Sequence, residues 1–91
     1  MAQDVIVTVV GKNRPGVLSE VTGAIGKAQA NILDIHQKVI REYFNLIMIV
    51  DLSPGRTAFE TFKAHLEKLG GQKGYRVHVQ HEKIFQGMHR I

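Results

Sequence analysis

The sequence predicts an α+β fold: a four-stranded antiparallel sheet with two helices on one face. Three observations lead there. Strand-like segments alternate with two segments of helical apolar spacing, in the order strand, helix, strand, strand, helix, strand. Two of the strands are apolar on both faces, while the other two are apolar on one face only. Strands buried on both sides belong in the middle of a sheet. The first and third strands are therefore central neighbours, and the strand order is 4-1-3-2. Right-handed crossovers then put both helices on the same side. This is the ferredoxin-like split βαβ arrangement, βαββαβ.

The first strand runs from Asp4 to Val10 and is rich in β-branched residues. Val5, Val7 and Val9 share one face, and Ile6 and Val10 the other. The cluster Gly11-Lys12-Asn13-Arg14-Pro15-Gly16 ends it as a turn. The first helix spans about Pro15 to Ala28, with Val17, Leu18, Val21, Ile25 and Ala28 as its apolar face. Pro15 suits a first turn, where its missing N–H has no intrahelical partner. Gly23 and Gly26 each weaken the helix by about 1 kcal/mol relative to Ala. Their expected role is to let the helix lie close to the sheet.

The second strand runs from Asn31 to Ile40, with Leu33, Ile35 and Val39 alternating against Asp34, His36 and Lys38. Arg41-Glu42 makes a tight hairpin into the third strand, Tyr43 to Leu52. That strand carries Phe44, Leu46, Met48 and Val50 on one face and Ile47 and Ile49 on the other. After the loop Ser53-Pro54-Gly55-Arg56, Thr57-Ala58-Phe59-Glu60 has the pattern of a capping box. Phe59, Phe62, Leu66 and Leu69 give the second helix its buried stripe, and Gly70-Gly71 are expected to stop it. The fourth strand spans Tyr75 to Glu82, with Val77 and Val79 facing inward.

The chain of 91 residues is one domain, with a short tail over 84–91. Ile84, Phe85, Met88 and Ile91 would make that tail an apolar turn that docks on the protein or its partner. The absence of cysteine excludes disulfides, thiolate zinc sites and thiol nucleophiles. No apolar run reaches the roughly 18 residues of a membrane span, and no signal peptide is visible, so a cytoplasmic protein without a membrane partner is expected. Twelve Lys and Arg against eight Asp and Glu give a net charge of +4. These charges are dispersed and interleaved with acids, as on a solvated surface rather than a nucleic-acid stripe.

Helices cover one side of the predicted sheet, leaving Ile6, Val10, Ile47 and Ile49 on the other. An open apolar patch marks an interface, so a homodimer joined through sheet faces or edges is expected.

The stretch from Val10 to Leu18 is the most informative. It joins a central strand to a helix N-terminus, where unpaired N–H groups and a partial positive charge favour carboxylates and phosphates. Gly11 and Gly16 allow close backbone approach. Asn13 offers both a donor and an acceptor. Lys12 and Arg14 add positive charge. A small zwitterion would suit this geometry. The same residues also make a sound turn with no ligand at all.

These residues resemble a known family. Gly11-Lys12-Asn13-Arg14-Pro15-Gly16-Val17-Leu18, with Ala30-Asn31-Ile32 at the start of the second strand, resembles the ACT domain. Asp34-Ile35-x-Gln37-x-Val39, Asp51-Leu52-Ser53 and Met88-His89-Arg90-Ile91 resemble more narrowly the small stand-alone ACT proteins of bacteria and archaea, an uncharacterised protein family. The resemblance covers essentially the whole chain. It implies a regulatory module binding an amino acid or other small ligand between paired domains. In serine-sensing members, a His and an Asn of the first loop and an Asn at the start of strand two hold the ligand. Asn13 and Asn31 match the two asparagines. Gly11 stands where the His would be, which removes one side-chain contact. The expected ligand site is therefore Gly11, Lys12, Asn13, Arg14, Pro15, Gly16, Val17, Leu18 and Asn31. Asn31 is expected to face its own loop or that of a neighbouring subunit, or else to serve only as a helix-exit residue, since Asn tolerates left-handed backbone.

Other chemistries fit less well. His36, His65, His78, His81 and His89 do not converge in the predicted topology, so no metal or cofactor is expected. Acylphosphatases share the architecture and use an Arg and an Asn, which Arg14 and Asn45 would supply. However, the longer Gly-rich loop of that family is missing, and no nucleophile is activated. RNA-recognition motifs place stacking aromatics on the open sheet face. This chain has mostly aliphatic residues there, so no nucleic-acid partner is expected. A structural protein-interaction module without ligand is the remaining alternative to a non-enzymatic ligand-binding regulator.

Overall fold

The computed structural model describes residues 4–82; the tail from 84 to 91 lies outside them. The elements are β1 (Asp4–Lys12), α1 (Val17–Lys27), β2 (Asn31–Ile40), β3 (Tyr43–Asp51), a 3-10 turn (Ser53–Gly55), α2 (Phe59–Lys73) and β4 (Arg76–His81). They form one antiparallel sheet in the order β2-β3-β1-β4, the expected order read from the other edge. Both helices pack on the face that carries Val5, Val7 and Val9 of β1.

The two-sided apolar strands are central for the reason the sequence suggests. On the helix side, Val5, Val7 and Val9 pair across with Val50, Met48 and Leu46. Val21 and Ile25 of α1 and Phe62 and Leu66 of α2 close the core over them. The opposite face is less open than expected. Ile6 is buried at 2% exposure and Ile49 is half-buried, which leaves Val10 and Ile47 exposed there.

Several local expectations are corrected. β1 continues two residues further, to Lys12, because Gly11 and Lys12 still pair with Phe44 and Tyr43. α1 begins at Val17, after Gly16, whose φ of 89° is left-handed and favours glycine. Pro15 therefore precedes the helix. Leu18 points away from the core and is exposed. A Cβ on Gly23 or Gly26 would meet nothing within 4 Å, so neither glycine serves a close approach to the sheet.

Thr57 does not cap α2. Its Oγ1 donates to the carbonyl of Ala28 at 3.2 Å, and Ala58 takes the cap position with no side-chain hydrogen bond. Gly70-Gly71 do not end the helix either. It runs to Lys73 and stops at Gly74, φ 86°, whose N–H donates to Gly70 O at 2.8 Å. Gly70 has a packing role instead: a Cβ there would lie 2.7 Å from Tyr75 O and 2.8 Å from Val77 Cγ2. The glycine lets α2 press against β4.

β2 differs most from its pattern. A bulge between Ile32 and Asp34 inserts Leu33 as an extra residue, which shifts the pairing with β3. Ile32 packs against the core, but the helices do not reach further along this edge. Leu33, Ile35, Val39 and Ile40 are 50%, 42%, 49% and 51% exposed.

Candidate functional site

The loop between β1 and α1 is tied down at both ends. The Asn13 N–H donates to Glu42 O at 2.6 Å, pinning the loop to the β2–β3 hairpin. The Glu20 N–H donates to Gly16 O at 2.9 Å and closes the first turn of α1. Between these anchors Lys12, Asn13, Arg14, Pro15 and Gly16 are exposed, and only Val17 turns into the core.

Arg14 has partners of its own. One guanidinium nitrogen, Nη2, donates to Glu20 Oε1 at 2.9 Å and to Lys73 O at 3.1 Å. Lys73 Nζ lies 3.5 Å from Glu20 Oε2, so the carboxylate stands between two cations. Lys73 ends α2, and a cation at its carbonyl is favoured by the partial negative charge of a helix C-terminus. The guanidinium also stands 5.9 Å from the ring centroid of Tyr75. The positive charge expected to face a ligand is thus engaged internally at Arg14.

Tyr75 is the residue that sequence reasoning missed. It is 7% exposed, and its ring meets Phe44 edge-on, with centroids 6.3 Å apart at 76°. Between these aromatics lies Gly11, which has no side chain to obstruct them. Two aromatic neighbours covering a strand glycine is a known device for filling its missing volume. Burial pushes the Tyr75 phenol up from its ordinary value; Glu20 adds to the rise and Arg14 opposes it. Among the described residues its hydroxyl has no hydrogen-bond partner. The usable signal in the sequence was Gly11 itself, because a glycine within a strand pattern marks a close approach.

The two asparagines do not meet within one chain. Asn31 pairs with Asp51, at the end of β3 where β1 begins at Asp4. Asn13 follows Lys12, which pairs with Tyr43 at the other end of β3. Eight steps along β3 at about 3.3 Å each separate these ends by roughly 26 Å. The loop residues from Gly11 to Leu18 are contiguous; Asn31 is not among them in space. Asn45 and Arg14 do not form an acylphosphatase-like pair either. Asn45 is on the sheet face opposite the helices, in register with Val10, whereas Arg14 is bound to α1 and α2. Among the described residues no group of three or more His, Asp or Glu could hold a metal ion. No described helix is long and apolar enough to cross a membrane.

The chain is thus a small split-βαβ sandwich with a glycine-framed strand-to-helix loop. Residues 3–80 match the family model described as the ACT domain. A UPF0237 protein of Methanococcus maripaludis is 44% identical, covering 98% of this chain and 99% of that one. A UPF0237 protein of Clostridium acetobutylicum is 37% identical, over 94% of this chain and 97% of that one. Among solved structures, an ACT domain protein from Streptococcus pneumoniae superposes with a TM-score of 0.81 at 33% identity, covering 93% and 96% of the two chains. The chain belongs to the ACT domain family and, within it, to the UPF0237 proteins of bacteria and archaea. ACT domains are commonly small-ligand regulatory modules and are generally regulatory rather than catalytic.

Proposed function

We propose that this chain is a non-enzymatic regulatory module of the cytoplasm that binds a small amino acid at a site completed by a second copy of itself. The observation that carries this reading is the placement of Asn31 at the start of an uncovered edge strand and of Asn13 beside the hairpin at its far end. β2 is ten residues long, lies at the sheet edge and exposes four large apolar side chains. Such an edge is a template for pairing with another chain. Antiparallel pairing of two β2 strands about their centre sets Asn31 beside Ile40 of the second copy. The hairpin that follows Ile40 holds Asn13 through the bond to Glu42. Asn31 of one chain and the Gly11–Leu18 loop of the other would then border one ligand.

In this reading the carboxylate takes the free N–H groups at the start of α1, with Lys12 near by. The two asparagine amides serve the ammonium and carboxylate together. Gly11 contributes no side-chain contact, since Tyr75 and Phe44 fill the space beside it. Ligand would favour one dimer geometry, which a regulated protein could read.

Thermal stability against a panel of the twenty amino acids tests it. A ligand at 100-fold excess over its Kd stabilises the protein by about 2.7 kcal/mol. One or a few amino acids are expected to raise the midpoint, and Asn13→Ala and Asn31→Ala are each expected to abolish the rise. A panel with no response would remove amino-acid sensing.

A further inference from the structure

A second candidate site lies between the two helices. A cavity of about 180 Å³ opens where the end of α1 meets the start of α2. Its floor is apolar, made by Ala24 of α1, by Ala28 just after that helix, and by Phe62 and Leu66 of α2. Its rim is polar, with Lys27 on one helix and Thr61 and His65 on the other. One end is closed by the hydrogen bond from Thr57 Oγ1 to Ala28 O. The 3-10 turn is packed against the same carbonyl, since a Cβ on Gly55 would lie 2.0 Å from it.

We propose that this cavity binds a short-chain aliphatic monocarboxylate. No acidic residue lines it. Among the described residues, neither Lys27 nor His65 is engaged in a salt bridge. Lys27 therefore offers an uncompensated ammonium at the mouth of an apolar recess. The Thr61 hydroxyl and the His65 imidazole add hydrogen-bonding groups beside it. A carboxylate on the rim with its hydrocarbon on Phe62 and Leu66 satisfies both halves of the lining. A cavity of about 180 Å³ has room for a compact ligand of a few carbon atoms. An apolar pocket with a few convergent polar groups is the usual form of a small-molecule site. The cavity shares no lining residue with the Gly11–Leu18 loop or with Asn31.

Isovalerate and its neutral isostere isovaleramide are suitable probes, titrated into the full chain and followed by the backbone amide resonances. Isovalerate is expected to give saturable shifts at Ala24, Ala28, Thr61 and Leu66, with the amide about tenfold weaker. Lys27→Gln is expected to weaken isovalerate about tenfold and leave the amide unchanged. Ala24→Leu, which fills the recess, is expected to abolish binding of both. Shifts confined to Gly11–Leu18, equal affinity for the two probes, or no saturable shift at millimolar concentration would each overturn the proposal. Those outcomes leave the loop site untouched, because its own test uses amino acids and the asparagine variants.

Discussion

A Cβ placed on Gly11 would stand 2.6 Å from the Cβ of Tyr75 and 3.2 Å from its Cα. The glycine is thus required by Tyr75, which leads from α2 into β4 more than sixty residues later. Neither neighbour is a flexible side-chain end that could swing away. Gly11→Ala is expected to lower stability by about 1–3 kcal/mol, the usual cost of overpacking. In urea unfolding the midpoint should fall with the slope unchanged. An unchanged midpoint would mean that β4 yields at no cost. Gly11→His should be worse still, since a larger side chain would meet the same Tyr75 backbone.

The helix glycines behave in the opposite way. Gly23 and Gly26 are exposed, and a Cβ on either meets open space. Gly23→Ala and Gly26→Ala are each expected to stabilise the protein by about 0.5–1 kcal/mol, by reducing unfolded-state freedom and raising helix propensity. Thermal midpoints should rise for each and add when the two are combined, provided that no partner packs on that face. A loss at Gly26 with a gain at Gly23 would mark a surface that another molecule contacts.

These glycines show how far the sequence could be read. The strand order was legible because Val5 to Val10 and Phe44 to Val50 are apolar on both faces, and only a central strand buries both. The Arg41-Glu42 hairpin and the strand-to-helix turn at Gly16 were legible from local chemistry. The roles of Gly11, Gly23, Gly26 and Gly70 were not, because a glycine's sequence neighbours do not reveal what approaches it in space. The capping box failed for a related reason. Thr57 has the right spacing to Glu60, but its hydroxyl is taken by Ala28 O, 29 positions away. At the site, the contiguous loop was visible and its ion pairing was not. Arg14 reaches Lys73 across 59 positions, a contact that exists only once α2 is docked.

Tyr75 supplies a pH prediction. Burial and the Glu20 carboxylate both disfavour its phenolate, so the folded protein keeps the proton to higher pH than the unfolded chain does. The stability this gives is fully present below the ordinary tyrosine value of 10.0 and is lost as pH rises from there through the folded pKa. Tyr75→Phe removes both the titration and a buried hydroxyl that has no partner among the described residues. It is expected to be neutral or stabilising by about 1 kcal/mol at neutral pH, because an unsatisfied buried polar group is costly. Stability measured from neutral to alkaline pH should also decline less steeply in the variant. A clear loss at neutral pH would show that the hydroxyl has a bonding partner.

The Arg14–Glu20 pair is expected to contribute little to stability. The two side chains are 40% and 23% exposed, so solvent screens their attraction. A double-mutant cycle on Arg14→Ala and Glu20→Ala should give a coupling below about 1 kcal/mol, and less at high salt. A coupling of several kcal/mol would mean that the loop is organised by this ion pair rather than by the backbone bonds at Asn13 and Gly16.

The edge strand carries the last expectation. If two copies pair through β2, the protein in solution has twice the mass of one chain, and light scattering at micromolar concentration reads that directly. Ile35 and Val39 lie on the helix side of β2, yet neither is covered by a helix. Ile35→Lys or Val39→Lys sets a charge on the rim that a second copy would have to bury, the device by which natural edge strands resist pairing. Because both positions are exposed, the monomer should lose no more than about 0.5 kcal/mol from either change. The expected result is therefore a dimer converted to a folded monomer, with circular dichroism unchanged. Each variant should also lose any amino-acid response seen in the parent, since Asn31 would no longer meet the loop of a second copy. A parent protein with the mass of one chain would end the shared-site reading. A lysine variant that stays dimeric would move the interface to the face that carries Val10 and Ile47.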